Sequence, residues 1–343
     1  RSRAGAGGAA DPTAKLLLPT EAIAQLRHKN VKPTEDSRKF TSNLANGTVK
    51  AVWNGADFDE TVTADGKADR RVALVLDRTN FYAEMGGQLA DQGTMRVTRE
   101  AAAGIGVGKG GEFTVEAVKR CGDYVVHIGR CTRNEIRVGD TVECKVDAKR
   151  RAAVKANHTT THLLNLALRR TLGGHCDQKG SLVAPDRLRF DFAHNAPLTA
   201  DQLDAVERHV NDQLERRLDV YAELAPLEDA KRINGVRALF GEAYPDPVRV
   251  VSVGQPVAVL LESPDDDRWA EHSVEFCGGS HLANTGECDD FVIVAEENVA
   301  KGVRRIVALT NQPAGAARDR GAELETRIAG AFDVRALRRH VGL

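Results

Sequence analysis

The sequence predicts an α+β protein in which a small N-terminal β-barrel precedes an α+β domain and a short helical C-terminal tail. Short runs of alternating apolar residues fill the region between about residues 48 and 146. From about residue 149 the pattern changes to long helical segments that are followed by strand-like runs. A chain of 343 residues is long enough to bury the cores of two domains.

The first 47 residues divide into two segments. Residues 1–15 are rich in Gly and Ala, basic at the start and without an initiator Met, which predicts a linker or a processed segment. Residues 16–47 contain Leu18, Ile23 and Leu26 at helical spacing, and residues 31–36 then break the pattern. A docking helix is therefore predicted from Leu16 to about Lys29, within a helical docking segment of residues 16–47.

The predicted barrel occupies residues 48–148. A turn cluster at residues 137–140 separates two of its strand-like runs, at roughly the spacing expected for a small barrel. The clearest runs are residues 72–76, 113–118, 124–128 and 142–146.

The predicted α+β domain occupies residues 149–312. Residues 150–172 and 199–218 have helical patterns, and Thr199 is a plausible N-cap for the second helix. Strands are predicted at residues 248–253, 257–261, 291–295 and 303–309. Residues 313–343 are Arg-rich and are predicted to be helical.

Charge and hydropathy limit the partners. The chain has 48 Lys and Arg residues against 49 Asp and Glu, so binding to nucleic acid requires a local basic face. No apolar stretch approaches the roughly 20 residues of a membrane span, so no membrane partner is expected. The six cysteines are widely scattered, which indicates reduced thiols in a reducing compartment.

Two histidines inside the first long helix form half of a candidate metal site. His158 and His162 are four residues apart and therefore project from one helix face. Such a pair is more often two solvated or core-edge side chains than a pair of ligands. A zinc peptidase would need Glu directly after the first His, where this chain has Thr159, so peptidase and nucleobase deaminase activities are both disfavoured.

The second half is Cys277 and His281, which flank a flexible Gly-Gly-Ser turn. Alone, they indicate a buried Cys beside a loop His. Together with the helical pair they supply one thiolate and three imidazoles, a typical ligand set for tetrahedral Zn²⁺. Whether this zinc is structural or catalytic stays open at this point, although a zinc-activated water would suit ester hydrolysis.

The two metal half-sites resemble those of the alanyl-tRNA synthetases and their free-standing editing relatives. The resemblance runs in order from about residue 16 to residue 311, and residues 244–252 look more like the eukaryotic cytosolic form than the bacterial one. Four further motifs resemble those of the family: Asp-Arg-Thr-Asn-Phe-Tyr-Ala-Glu-Met-Gly-Gly-Gln at 77–88, Gln-Lys-Gly-Ser-Leu-Val at 178–183, Leu-Arg-Phe-Asp-Phe at 188–192 and Gly-Val-Arg-Arg-Ile at 302–306. In the first of these motifs, Met85 stands directly before Gly-Gly-Gln, where the family more usually has a small or polar residue.

The resemblance implies an editing domain that hydrolyses Ser-tRNA(Ala), with Gly-tRNA(Ala) as a second substrate. It implies Zn²⁺ on His158, His162, Cys277 and His281 and the acceptor end of tRNA(Ala) as partner. The family's ATP-binding synthetic domain would need hundreds of residues before the barrel, so we expect no alanine activation. That domain, in a longer chain or a larger complex, is a further expected partner. The expected location is the cytoplasm, with a mitochondrion or another organelle as the alternative.

Selectivity for serine requires a group that senses the hydroxyl, because a pocket sized for alanine rejects serine only weakly. Thr161, beside His162 on the helix, is the candidate sensor, and the resemblance supports it. In the alternative interpretation, Thr161 is an ordinary helix residue whose hydroxyl bonds to an earlier backbone carbonyl. Gln178, expected in the loop after the helix, could orient the water or the ester, or could be a plain surface residue.

The candidate tRNA contacts are less specific. Gly86 and Gly87 would let the backbone approach the tRNA end and Gln88 could bond to it, although Gly-Gly-Gln is also a plain β-turn. The basic candidates for phosphate binding are Arg187, Arg189, Arg304 and Arg305, and Asp191 could orient one of them. A non-catalytic scaffold that keeps zinc as a structural part of a larger assembly is the competing interpretation.

Overall fold

The computed structural model describes residues 13–64, 70–98, 110–238 and 243–340, with side chains as far as residue 329. The chain divides into two compact units, Arg1–Val154 and Lys155–Leu343. Most of the predicted linker, residues 1–12, lies outside the described residues. Of the helices in the described ranges, none has the length and apolar character needed to cross a membrane.

In its described residues, the first unit contains helices and a set of short and long strands. Helix α1 is Thr20–His28 and lies within the stretch from Leu16 to about Lys29 where the sequence predicted a helix. The nine strands are β1 Leu44–Trp53, β2 Phe58–Asp59, β3 Thr61–Thr63, β4 Val72–Leu76, β5 Gly93–Val97, β6 Glu112–Cys121, β7 Tyr124–Arg133, β8 Glu135–Arg137 and β9 Thr141–Val146.

Six of these strands close into a barrel, which confirms the predicted fold of this region. Antiparallel neighbours follow the order β1-β4-β7-β6-β5-β9, and β9 pairs again with β1. Residues 72–76 of β4 are buried on both faces. Val72, Leu74 and Leu76 belong to the barrel core, whereas Ala73 and Val75 contact the apolar face of α1 through Leu26 and its neighbours. The amphipathic helix therefore covers one side of the barrel.

The barrel also buries a histidine. His127 is fully buried, and burial lowers the pKa of its imidazole to about 4. Its Nδ1 lies 3.1 Å from the Leu74 carbonyl oxygen and its Nε2 lies 2.8 Å from the Thr79 hydroxyl. Thr79 Oγ1 accepts a bond from the Phe81 amide, so its proton is available for Nε2. The neutral imidazole thus satisfies both ring nitrogens.

The second unit combines helices with two small sheets. Helix α2 is Ala148–Leu172, beginning in the first unit, and the other helices are α3 Ala200–Glu215, α4 Leu227–Lys231, α5 Val257–Glu262 and α6 Asn311–His340. One antiparallel sheet has the order β10-β11-β16-β15 and the other the order β12-β13-β14. Their strands are β10 Gln178–Val183, β11 Leu188–Ala193, β12 Val220–Ala225, β13 Val248–Val253, β14 Val274–Phe276, β15 Phe291–Ala300 and β16 Val303–Thr310.

The core of this unit lies between two helices and the four-stranded sheet. Leu164 and Leu168 of α2 pack with Val206 of α3 against Phe190 and Ile306 of the sheet. Thr199 forms a reciprocal capping box with Gln202 at the start of α3, as the sequence predicted. The same apolar face of α2 continues into a row of buried polar side chains.

One predicted strand is wrong. Residues 257–261 form helix α5, which starts after Pro256 and buries Val257 and Leu260. A short apolar run has too few residues for its periodicity to distinguish a strand from a buried helical turn. Pro at the N-terminus favours the helix. Strands β10 and β12 were not predicted, because their sequences alternate poorly. Strand β11 was also not predicted, although Leu188, Phe190 and Phe192 alternate with Arg189 and Asp191.

The buried His127 predicts a specific pH dependence of stability. Its pKa is near 6.5 in the unfolded chain and lower in the fold, so its contribution is full above pH 6.5 and is lost as the pH falls towards 4. We expect the difference in unfolding free energy between wild type and His127→Asn to shrink by about 2 kcal/mol between pH 7 and pH 5. Urea unfolding at pH 7, 6 and 5 measures it, and a constant difference would contradict the neutral, buried imidazole.

Candidate metal centre

The first half of the centre lies on one face of α2. His158 and His162 are one turn apart, and both are less than 10% exposed. Their ring centroids are 5.2 Å apart in an edge-to-face arrangement. Asn165 continues the same face nearly one turn later and is also buried. Residues 156–168 of this 25-residue helix are all buried, so the helix can hold this row of polar groups in fixed positions.

The second half is a turn that follows β14. Arg249 donates from Nη1 to the carbonyl oxygens of Cys277 and Gly279, both at 2.8 Å, and so holds the Gly-Gly turn folded. The Leu282 amide donates to Thr159 Oγ1 on α2 at 3.1 Å. These bonds bring His281 over the helix.

The four donor atoms converge. One nitrogen or sulfur atom from each of His158, His162, Cys277 and His281 lies within 4.8 Å of all the others. Cys277 Sγ lies 3.4 Å from His158 Nε2 and 3.3 Å from His281 Nε2. Ligands of tetrahedral zinc at their usual bond lengths are roughly 3.4 to 3.6 Å apart. The described residues therefore include a group that can hold a metal ion.

Burial puts the imidazoles in the protonation state that a metal needs. It lowers the pKa of His162 to about 3 and those of His158 and His281 well below the usual value. Burial raises the pKa of the Cys277 thiol to about 12, and the Gly279 amide points at its sulfur from 3.4 Å. A bound cation would supply the charge that favours the thiolate in this setting.

A buried atom without a partner supports the fit to zinc. His162 Nδ1 has no hydrogen-bond partner among the described residues. Its other nitrogen, Nε2, lies 3.6 Å from Glu275 Oε2, and Asn165 donates to Glu275 Oε1 at 2.8 Å. On His281, Nδ1 lies 3.3 Å from Thr159 Oγ1, on the side of the ring away from the Cys277 sulfur. Partners of this kind typically orient metal-binding histidines.

The four ligand candidates were predictable from the sequence, but the groups around them were not. Glu275 stands two residues before Cys277, Asn165 three residues after His162, and Thr159 directly after His158. Arg249 lies in a strand that was predicted for other reasons. Proximity to a ligand in the sequence was the available signal for the first three, but only the fold shows which way each side chain points.

The two catalytic candidates lie on different elements. Thr161 is on α2 beside His162, is 4% exposed and donates its hydroxyl proton to the Asn157 carbonyl at 2.6 Å. Gln178 was predicted to lie in a loop, and this was wrong. It is the first residue of β10 and pairs with Phe192 of β11. The pairing of β10 with β11 continues to Gln178 across a β-bulge before Gly180. The sequence did not predict this bulge.

The basic candidates all have carboxylate neighbours. Asp191 accepts two bonds from Arg305, at 2.6 and 2.9 Å, and its Oδ1 lies 3.6 Å from Arg189 Nε. Arg304 is buried in an ion pair with Glu296. Arg187, just before β11, pairs with its neighbour Asp186 and is half exposed.

The Gly-Gly-Gln segment belongs to the first unit. Gly86 and Gly87 have φ angles of 60° and 84° in a turn closed by reciprocal backbone bonds between Met85 and Gln88. Glycine is favoured here because other side chains are strained in this conformation. Met85 is 45% exposed, whereas Gln88 is fully buried.

Comparison with known proteins gives matches across both units. The family described as tRNA synthetases class II (A) matches residues 18–150, and the family described as threonyl and alanyl tRNA synthetase second additional domain matches residues 248–307. The chain is 43% identical over 320 residues to the cytoplasmic alanine–tRNA ligase of Dictyostelium discoideum, covering 93% of this chain and 33% of that protein.

Two further relatives are also named as alanine–tRNA ligases. The mitochondrial alanine–tRNA ligase of Saccharomyces cerevisiae is 43% identical over 308 residues, covering 90% of this chain and 30% of that protein. The cytoplasmic alanine–tRNA ligase of Bombyx mori is 41% identical over 332 residues, covering 94% and 33% respectively. The chain thus spans about a third of the length of these relatives.

The contact between Glu275 and His162 predicts an effect on metal affinity. We expect Glu275→Gln to weaken zinc binding about 10- to 100-fold, because the amide holds the His162 ring less well than the carboxylate does. Glu271→Gln, at an exposed carboxylate that pairs with Arg170, is the matched control and should leave the affinity unchanged. Competition with a chromogenic chelator measures both values, and equal affinities would contradict the orienting role of Glu275.

Proposed function

The chain belongs to the alanyl-tRNA synthetase family, and from this premise we propose that it hydrolyses the ester of Ser-tRNA(Ala) in a zinc-dependent editing reaction, with Gly-tRNA(Ala) as a second substrate. The observation that carries the proposal is the buried convergence of His158, His162, Cys277 and His281. The relatives are named as ligases and are about three times as long as this chain, so the hydrolytic activity is a proposal for this part of such a protein.

Zinc in this group would act as a Lewis acid and make water a usable nucleophile near neutral pH. The side chains of the protein would then have two tasks. His158, His162, Cys277 and His281 would hold the ion, with the His281 ring oriented by Thr159 and the His162 ring by Glu275. The remaining polar groups would place the ester and choose the amino acid.

Thr161 is suited to choose serine. Its one hydroxyl proton is donated to Asn157, so its oxygen can only accept a further bond. The hydroxyl of a seryl ester is a donor and could supply that bond, whereas alanine has no such group. A site that waits for a hydroxyl can discriminate strongly against the analogue without one. The helix back-bond, first considered as an alternative role, is thus part of the proposed selectivity.

The acceptor end of tRNA(Ala) would contact the less buried polar groups. Gln178 is half-buried at the start of β10, from where its amide could orient the ester. Arg187 and Arg189 retain exposed area for phosphates, whereas Arg304 and Arg305 are bound more closely by Glu296 and Asp191. We keep Gly86 and Gly87 as candidates for close backbone approach. Gln88 is a weaker candidate because it is buried.

The burial of the centre favours a second candidate function. Sites in which four protein ligands surround zinc are usually structural, since a catalytic zinc keeps a position for water. A non-catalytic scaffold in a larger assembly, including the synthetic domain, would need the same four residues. The two functions differ in whether the zinc-loaded protein hydrolyses the ester.

The cellular compartment is part of the proposal. The relatives include both cytoplasmic and mitochondrial alanine–tRNA ligases. We propose the cytoplasm, because residues 244–252 resemble the eukaryotic cytosolic form.

Removal of the thiolate ligand should abolish editing. We expect Cys277→Ala to lose zinc and to deacylate Ser-tRNA(Ala) at the uncatalysed rate, because one of four ligands is missing. Cys288→Ser is the matched control, since Cys288 is also buried in this unit but donates to the Asp290 carbonyl outside the centre. Release of labelled serine is the measurement, with and without a chelator. Intact Ser-tRNA(Ala) in the presence of the zinc-loaded wild type would refute the hydrolase and favour the scaffold.

Substitution of Thr161 should affect selectivity without affecting the metal. We expect Thr161→Val to lower kcat/KM for Ser-tRNA(Ala) about tenfold, the value of one hydrogen bond, while zinc content stays the same. Thr160→Val is the control, because Thr160 also bonds back to a helix carbonyl, at Ala156. Equal losses in the two variants would show that the helix back-bond, rather than the serine hydroxyl, accounts for the effect.

A further inference from the structure

A second group of metal-binding side chains lies at the open end of the β10–β11 hairpin. It consists of His175 and Cys176, just before β10, and His194, just after β11. We propose that these three residues form a second metal site for an ion of the Zn²⁺ class. Neither the sequence motifs nor the editing proposal uses them, and the site does not depend on hydrolytic activity.

The donor atoms converge within the same 4.8 Å limit as those of the first centre, with a slightly longer distance to the sulfur. His175 Nε2 lies 3.4 Å from His194 Nδ1 and 3.9 Å from Cys176 Sγ, and all three donors lie within 4.8 Å of one another. Tetrahedral zinc ligands are roughly 3.4 to 3.6 Å apart, so the two histidine nitrogens already have this spacing and the Cys176 sulfur would move closer to them around an ion.

The backbone fixes these residues from both sides of the hairpin. The Cys176 amide donates to the Gly173 carbonyl, in a turn where Gly173 has a φ of 108°. Across the hairpin, the Ala193 amide donates to the Asp177 carbonyl at 2.9 Å. The His194 amide donates to the Gly302 carbonyl at 3.1 Å. The group is therefore anchored by elements that are far apart in the sequence.

The chemistry of the group points to a borderline metal. One sulfur and two imidazole nitrogens suit Zn²⁺, whereas Mg²⁺ and Ca²⁺ prefer oxygen ligands. Cys176 is fully buried, His194 is half-buried and His175 is exposed. An ion held here would have three protein ligands and a side open to water, unlike the four-ligand centre on α2.

A simpler interpretation is that the two histidines merely stack. Their ring centroids are 5.6 Å apart with planes inclined by 26°, and His194 also stacks on Phe192. Stacking alone does not require a thiol at the same point, and Cys176 places its sulfur beside the paired ring nitrogens. The convergence of the third donor favours a metal site over an aromatic contact.

Occupation of this site would join the end of α2 to both strands of the hairpin. Gln178, two residues after Cys176, begins β10 and is the catalytic candidate nearest in sequence. The ion would thus restrain the segment that positions Gln178. This effect would add to the editing proposal, but metal binding can be tested without it.

Metal stoichiometry of the full chain distinguishes the two sites. Metal-free protein is loaded with Zn²⁺, dialysed against micromolar Zn²⁺ and analysed for bound metal. We expect two equivalents for wild type, one for Cys176→Ser, one for Cys277→Ser and none for the double variant. Cys288→Ser should keep both. One equivalent in both wild type and Cys176→Ser would overturn the proposal, as would two equivalents in both.

A second variant covers the case in which Cys176→Ser does not fold, because Cys176 is buried. His175→Asn replaces the exposed ligand and should also lose one equivalent. Co²⁺ provides an independent readout, since each thiolate–Co²⁺ bond gives a charge-transfer absorption. We expect Cys277→Ser to retain about half of the wild-type absorption, and its complete loss would mean that Cys176 binds no metal. Neither measurement requires tRNA, so editing and the second site can fail separately.

Discussion

The burial of three imidazoles and one thiol around a common point is the constraint on which the second unit depends. Polar groups removed from water cost free energy unless they gain partners, and His162 Nδ1 has no hydrogen-bond partner among the described residues. A cation would give all four groups a partner at once. The turn held by Arg249 and the bond from Leu282 to Thr159 are needed to bring the sulfur and the third imidazole to the helix. Metal binding and local folding are therefore expected to be coupled.

The same short stretch of α2 would serve both the proposed metal binding and the proposed selectivity. His158 and His162 face the common point, while Thr161 uses its proton within the helix. Because the helix fixes the relative positions of these residues, the proposed ligand for the ion and the proposed acceptor for a serine hydroxyl would remain at a constant spacing. Precision in this arrangement would come from regular secondary structure instead of from a loop.

Periodicity explains which features could be predicted from the sequence. The histidines four residues apart lie in a long helix, and the alternating runs such as residues 72–76 form barrel strands. Prediction failed where the apolar run was short, or where the contact joined residues that are far apart in the sequence. The apolar run at 257–261 forms a helix after Pro256, and Glu275 meets His162 across 113 positions of sequence. Gln178 joined a strand because Phe192 was available as its partner.

The ion pairs of the basic strand residues have a consequence for the energetics of RNA association. Arg305 is held by Asp191 and Arg304 by Glu296, so neither cation is free to neutralise a phosphate without first losing its carboxylate. Such arginines release few counterions from the nucleic acid, and the salt dependence of binding reflects only the cations that do. The salt dependence of binding to the tRNA end would then reflect the more exposed Arg187 and Arg189, and not Arg304 and Arg305.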